Sequence, residues 1–181
     1  DSVKVINAMQ EEIAETLQNQ TDDLVEALAA EQDSGWAAAQ KKVSEMLDGD
    51  DIAEQVQEAA ADMFQTEVPK LATVYMQETD GDLVVDVIRQ RTKSWIASWS
   101  QRLGQLMKIN THQQITDIIQ RTIDQGESIE TLTRKIMDGG WRNEHYQARR
   151  VAVTEVLRAH SVAREEAIQQ SPSTDRKEWR H

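Results

Sequence analysis

The chain contains no cysteine, which excludes disulfides, thiolate zinc sites and a cysteine nucleophile together. Its 181 residues include only 7 glycines and 2 prolines, too few to punctuate a succession of hairpins. Alternating β-branched runs are almost absent, so strands are expected to be rare. Aromatics make up 4% of the chain; an interior must be filled by Ala, Leu, Ile, Val and Met, a set that favours helix. No apolar run approaches the ~18 residues that a bilayer crossing requires, and no membrane partner is expected. These absences predict an all-α chain, long enough to bury a sizeable core.

Strong positive charge is also missing. The net charge is −12, and it is unevenly held: residues 1–86 carry 21 acidic against 4 basic side chains, net −17, and residues 87–181 carry 11 against 16, net +5. The first part repels nucleic acid and the second falls short of a polybasic footprint. Direct nucleic-acid binding is therefore not expected.

What is present is helical periodicity. Ile6, Met9, Ile13, Leu17, Leu24 and Leu28 recur every three to four residues and predict a long first helix to about Gln32, with a narrow stripe suited to a neighbouring helix in the same chain or to self-association with a partner. Shorter helices are expected from Trp36 to Leu47 and from Ile52 to about Thr66, with Pro69 either opening a new helix or kinking a longer one. TDGD at 79–82 coincides with the charge switch and is the best boundary between an acidic helical region, 1–82, and a second region, 83–181. Val84, Val85, Ile88, Trp95, Ile96, Trp99, Leu103 and Leu106 trace one helical face. Thr111 with Gln114 reads as a capping box that opens another helix, closed by Gly126. Ser128 caps the next, and a last helix from about Asn143 ends near Pro172. The expectation is an elongated bundle of six to eight helices.

Candidate sites are few. None of His112, His145, His160 and His181 lies three or four residues from another, so no helical face offers a metal-ligand pair. The acidic turns DGDD and TDGD lack the glycine and glutamate positions of a calcium loop and read as caps and solvated turns. No metal, cofactor or catalytic group is expected. Trp95 and Trp99, flanked by basic residues, have the spacing to stack on bases, but their place on the apolar face favours burial.

The informative stretch is ARRVAVTEVLRAHSVAREEA, 148–167. Ala148, Ala152, Ala159 and Ala163 form a stripe along one helical face, and Glu155 falls in its middle. Small side chains permit close approach of another backbone, so Glu155 is expected to lose water and to need partners. Arg158, three residues on, is the nearest cation in sequence, and Arg102 or Arg134 has the length to reach from another helix. The alternative is a stripe at a rim, with Glu155 in water.

This stretch, followed by KEWRH, resembles the signature of the phage Mu F-like head morphogenesis proteins, minor head proteins found with portal proteins in tailed phages and prophages. The matching residues are Ala148, Arg149, Ala152, Thr154, Glu155, Arg158, Ala159 and Ala163, then Lys177 and Trp179. The preceding segments RTKSWIASWSQRL, THQQI and GESIETLTRKI are similar too, so the resemblance covers about residues 83–181. It implies a role in head morphogenesis: recruitment through the portal protein and other head proteins during procapsid assembly in the host cytoplasm, then residence in the virion, with DNA packaging or ejection as later steps. It also implies a fragment lacking a following small domain, with Arg149, Thr154, Glu155, Arg158 and Trp179 forming a structural joint, and with either the first helix or the face of Trp95 and Trp99 as the surface that docks on the portal. The alternative function is the delivery module of a phage-derived toxin or effector whose active domain lies beyond residue 181.

Overall fold

In α1, Ser2–Ala30, the apolar stripe repeats at helical spacing, and Met9, Ile13, Leu17, Leu24 and Leu28 are all buried along it. The computed structural model describes residues 2–140 and 144–173, and among these every regular element is a helix. After α1 come α2, Trp36–Leu47, α3, Asp51–Gln77, α4, Gln90–Asp124, α5, Ile129–Lys135, a π-helical turn Ile136–Gly140, and α6, Glu144–Gln170. Five of these helices have 12 or more residues, and α5 has 7. No helix among the described residues is long and apolar enough to cross a membrane.

Two apolar clusters hold the helices. In the larger, Phe64 and Val68 of α3 meet Ile13 of α1, Ile96 and Leu103 of α4 and the alanines of α6. In the smaller, Leu24 and Leu28 meet Val43 of α2, Ile115 and Ile119 of α4, and Leu132 of α5. The long helices α1 and α4 enter both clusters, which couples the two ends of the molecule. The stripe that suggested self-association through the first helix is thus buried within this chain.

Among the described residues five helices have 12 or more residues, fewer than the expected six to eight, because the break expected at Thr111 does not occur. Thr111 lies in the middle of α4, buried on the same face as Met107, Ile115 and Ile119. No glycine or proline stands near it to interrupt the backbone ladder, so the TxxQ pattern has no free helix end to cap. Likewise α3 continues through Pro69 to Gln77. One predicted helical start also fails. Val84, Val85 and Ile88 lie in an extended connector, and α4 begins only at Gln90. There the backbone finds partners outside a helix: Val85 N–H donates to Thr73 Oγ1 at 3.1 Å, and Gln170 Nε2 donates to the Val87 carbonyl at 3.0 Å. β-branched residues prefer that extended conformation.

Caps behave as expected elsewhere. Gly126, at φ 68°, closes α4 in the left-handed region, with Gly126 N–H on the Ile123 carbonyl and Glu127 N–H on that of Thr122, an arrangement that glycine adopts without Cβ strain. The Ser128 hydroxyl accepts the Thr131 N–H at the start of α5.

At Gly104 two helices come into close contact. A Cβ there would lie 2.1 Å from the Ala53 carbonyl oxygen of α3, so α3 and α4 approach backbone to backbone. Gly104→Ala must therefore separate two helices that share the main core. The expected loss is about 1–3 kcal/mol of unfolding free energy, read by chemical denaturation; an unchanged midpoint would show that α3 and α4 do not meet at this distance.

Candidate functional site: the glutamate face of α6

The alanine stripe is fully buried: Ala148, Ala152, Ala159 and Ala163 are each 0% exposed. It lies against α1 and α3, where the absence of side-chain bulk lets α6 sit close. Glu155 is 2% exposed, which settles the choice between burial and rim.

Its carboxylate is partnered twice at one oxygen. Trp99 Nε1 donates to Glu155 Oε2 at 2.7 Å, and Arg158 Nε donates to the same oxygen at 3.0 Å. The Arg158 guanidinium in turn lies 4.1 Å from the centre of the Trp99 ring, so three side chains close a ring of interactions, with a cation–π contact as its third side. Trp99 lies parallel to Trp95 at 6.2 Å, and Trp95 meets Phe64 edge-on at 5.4 Å. The half-buried tryptophan pair therefore joins the core to the carboxylate. Arg158 is the cation that pairs, as the i, i+3 spacing allows; neither Arg102 nor Arg134 does, Arg134 pairing instead with Glu130 at 3.3 Å.

A second buried carboxylate escaped the sequence reading. Glu166 is 0% exposed and stands eleven residues after Glu155, three helical turns along nearly the same face. It accepts the Arg89 N–H at 2.7 Å, the Arg89 Nε at 3.3 Å, the Gln170 amide at 2.7 Å and the Thr92 hydroxyl. Burial pushes its carboxyl up, but the hydrogen bonds from Thr92, Arg89 N–H and Gln170, with the Arg89 charge, outweigh it and hold the group below the ordinary carboxylate range. The available signal was that spacing of eleven.

One turn beyond, the hydroxyls of Ser171 and Ser173 both donate to Asp80, and this holds Asp80 below its ordinary range. The end of α6 is thereby fastened to the turn after α3. Toward the middle of α6, His160 lies between Ser2 Oγ at 3.0 Å and the Tyr75 hydroxyl at 2.8 Å, joining α1, α3 and α6. Among the described residues no group of three or more His, Asp or Glu is placed to hold a metal.

The other residues of the predicted joint separate. Thr154 is exposed, and its hydroxyl donates to the Arg150 carbonyl one turn back. Arg149 is exposed and reaches Gln10 of α1 at 3.0 Å. Trp179, with Lys177 and His181, lies outside the described residues, as does the side chain of His145. The joint is thus Glu155 with Arg158, Trp99 and Trp95, extended by Glu166 with Arg89 and Thr92.

Two expectations follow. Glu155→Gln and Trp99→Phe each lower stability by about 1–2 kcal/mol, and the double variant loses less than the sum, since the first weakens and the second removes the same hydrogen bond; additive losses in a thermal-melt cycle would refute the shared carboxylate. For Glu166, a folded-state value below the ordinary 4.5 means stabilisation that is present above 4.5 and is lost as pH falls through the folded value. Glu166→Gln therefore destabilises at pH 7, and its deficit shrinks as pH falls below 4.5; a pH-independent deficit would contradict this.

The chain is similar to the uncharacterized protein YqbB of Bacillus subtilis (strain 168), with 36% identity over 132 residues, covering 73% of this chain and 43% of YqbB. It thus spans less than half the length of that relative. No family model and no solved structure matches the chain.

Proposed function

We propose that this chain is the helical portion of a phage or prophage minor head protein of the Mu F-like type, working in head morphogenesis by protein contact. The observation that carries the reading is the disposition of α6. Glu155 is committed to Trp99 and Arg158, and Glu166 to Arg89 and Thr92, so the buried carboxylates of α6 hold helices together and are not held ready for chemistry. This fits an assembly component whose helical faces meet a portal protein and other head proteins in the procapsid. The charge distribution supports partners made of protein: a region of net −17 before residue 87 repels the phosphate backbone. In this reading the protein assembles in the host cytoplasm and remains in the virion.

The test is capture of the full-length protein from phage-producing cells. Portal protein is expected to be retained with it and to be lost when the Glu155–Trp99 joint is broken by Glu155→Ala. Recovery without portal, or with an immunity protein in its place, would overturn the assembly reading in favour of an effector-delivery module. A gel-shift titration with duplex DNA is expected to show no complex at physiological salt; micromolar, salt-sensitive binding would also count against the proposal.

A further inference from the structure

The end of α6 and the connector after α3 meet at one place. Ser171 and Ser173, just past the last turn of α6, donate their hydroxyls to Asp80, and Gln170 Nε2 donates to the Val87 carbonyl at 3.0 Å. The chain therefore leaves the bundle beside the connector. Val85 and Ile88, three residues apart, join the larger cluster; Val84 and Val87, also three apart, stay outside it. Leu83 is 39% exposed, Val84 54% and Val87 66%. Val74, next in sequence to the Thr73 that receives the Val85 N–H, is 55% exposed. The connector thus carries a second apolar face that the described bundle does not cover.

Charge along this strip has one sign. Residues 79–87 hold Asp80, Asp82 and Asp86 and no cation. Asp82 and Asp86 are exposed and take part in none of the ion pairs among the described residues. The strip asks for an occupant that is apolar and basic together.

The described residues end at Ser173, and the sequence continues TDRKEWRH, 174–181. Trp179 is the one large apolar side chain after α6, and Arg176, Lys177 and Arg180 surround it. We propose that Leu83, Val84 and Val87 form the docking surface for residues 174–181 of the same chain, with Trp179 covering the valines and the cations facing Asp82 and Asp86. Reach permits it. The six residues from Ser173 to Trp179 span up to about 20 Å; Val84, four residues from Asp80, and Val87, already touched by Gln170, fall inside that radius. Tethering favours it, because a segment pinned at Ser171 and Ser173 closes a short loop, whereas a separate molecule must be recruited from solution. Charge separates it from a second copy: the whole chain carries −12, while this segment sets three cations against Asp175 and Glu178. An indole laid on valines removes more apolar surface from water than any other side chain of the segment. This inference does not depend on the proposed role in head assembly.

A double-mutant cycle in the intact chain, read by chemical denaturation, tests it. Val87 is 66% exposed on the described bundle, so Val87→Ser is nearly silent unless something covers it. Trp179→Ala and Val87→Ser are each expected to raise the unfolding equilibrium constant about five- to tenfold, and the double variant little more than either alone, because both remove one contact. Trypsin, which cuts after Lys and Arg, supplies a second readout. Cleavage at Arg176 and Lys177 is expected to be about tenfold faster in Trp179→Ala, and equally in Val84→Ser with Val87→Ser, than in the unaltered chain. Circular dichroism verifies that the helices are intact in each variant. A silent Val87→Ser, additive losses in the cycle, or cleavage indifferent to the valine substitutions would each overturn the proposal. So would a Val87→Ser effect that grows with protein concentration, which would put a second copy on this surface.

Discussion

Helix α6 meets its neighbours by two different physical devices, and the position of every other long helix follows from that division. Toward α1 and α3 it offers alanine, and the backbones come close because nothing intervenes. Toward α4 it offers carboxylates, and the backbones stay apart because the long side chains of Glu155 and Glu166 span the gap. Alanine contacts are non-directional, so a helix held by them alone is free to slide by a turn at small loss. A carboxylate that must find an indole N–H at one level and a threonine hydroxyl three turns away fixes the register. The desolvation of two charges, several kcal/mol each when unpaired, is what makes any other register unfavourable.

The same requirement explains the connector between α3 and α4. Glu166 needs donors, and four come from the strip between Arg89 and Thr92 and from Gln170. Arg89 N–H is an orphan donor at the start of α4, so a carboxylate placed there also acts as a tertiary cap, in the orientation that the helix dipole favours. Residues 84–88 cannot join α4 as a further turn without removing that donor from Glu166. The chain therefore enters α4 in extended form, and Val85 and Ile88 still reach the core from outside a helix.

Much of this was legible in the residues. The helical class, the ends of α2, the Gly126 and Ser128 caps and the burial of Glu155 follow from composition, breakers and the alanine spacing. Thr111 and Val84 were misread for a common reason. A local pattern such as TxxQ has the same letters whether or not the ladder is broken before it, and a valine-rich start looks helical until a distant glutamate claims the backbone donor. Glu166 was overlooked because it sits in an REE run that reads as a solvated face; only the eleven-residue interval from Glu155 marks it as inward. The open gap between α4 and α6, lined by Leu103, Met107 and Val151, was not legible at all, since it is the space between two helices and no single stretch encodes it.

The division of α6 also accounts for where the bundle stays open. Faces closed by alanine and by the two apolar clusters are consumed in folding. What is left is the side on which α4 is held off by side chains. Bridging stops between the Glu155–Trp99 ring and the Gln114–Gln147 contact, and the gap between them stays open with buried apolar atoms at its base. A bundle that set all four long helices by alanine would have closed this gap and would present a uniformly polar exterior. The carboxylates that fix the register thus also keep a seam open between α4 and α6, with Leu103, Met107 and Val151 in its lining.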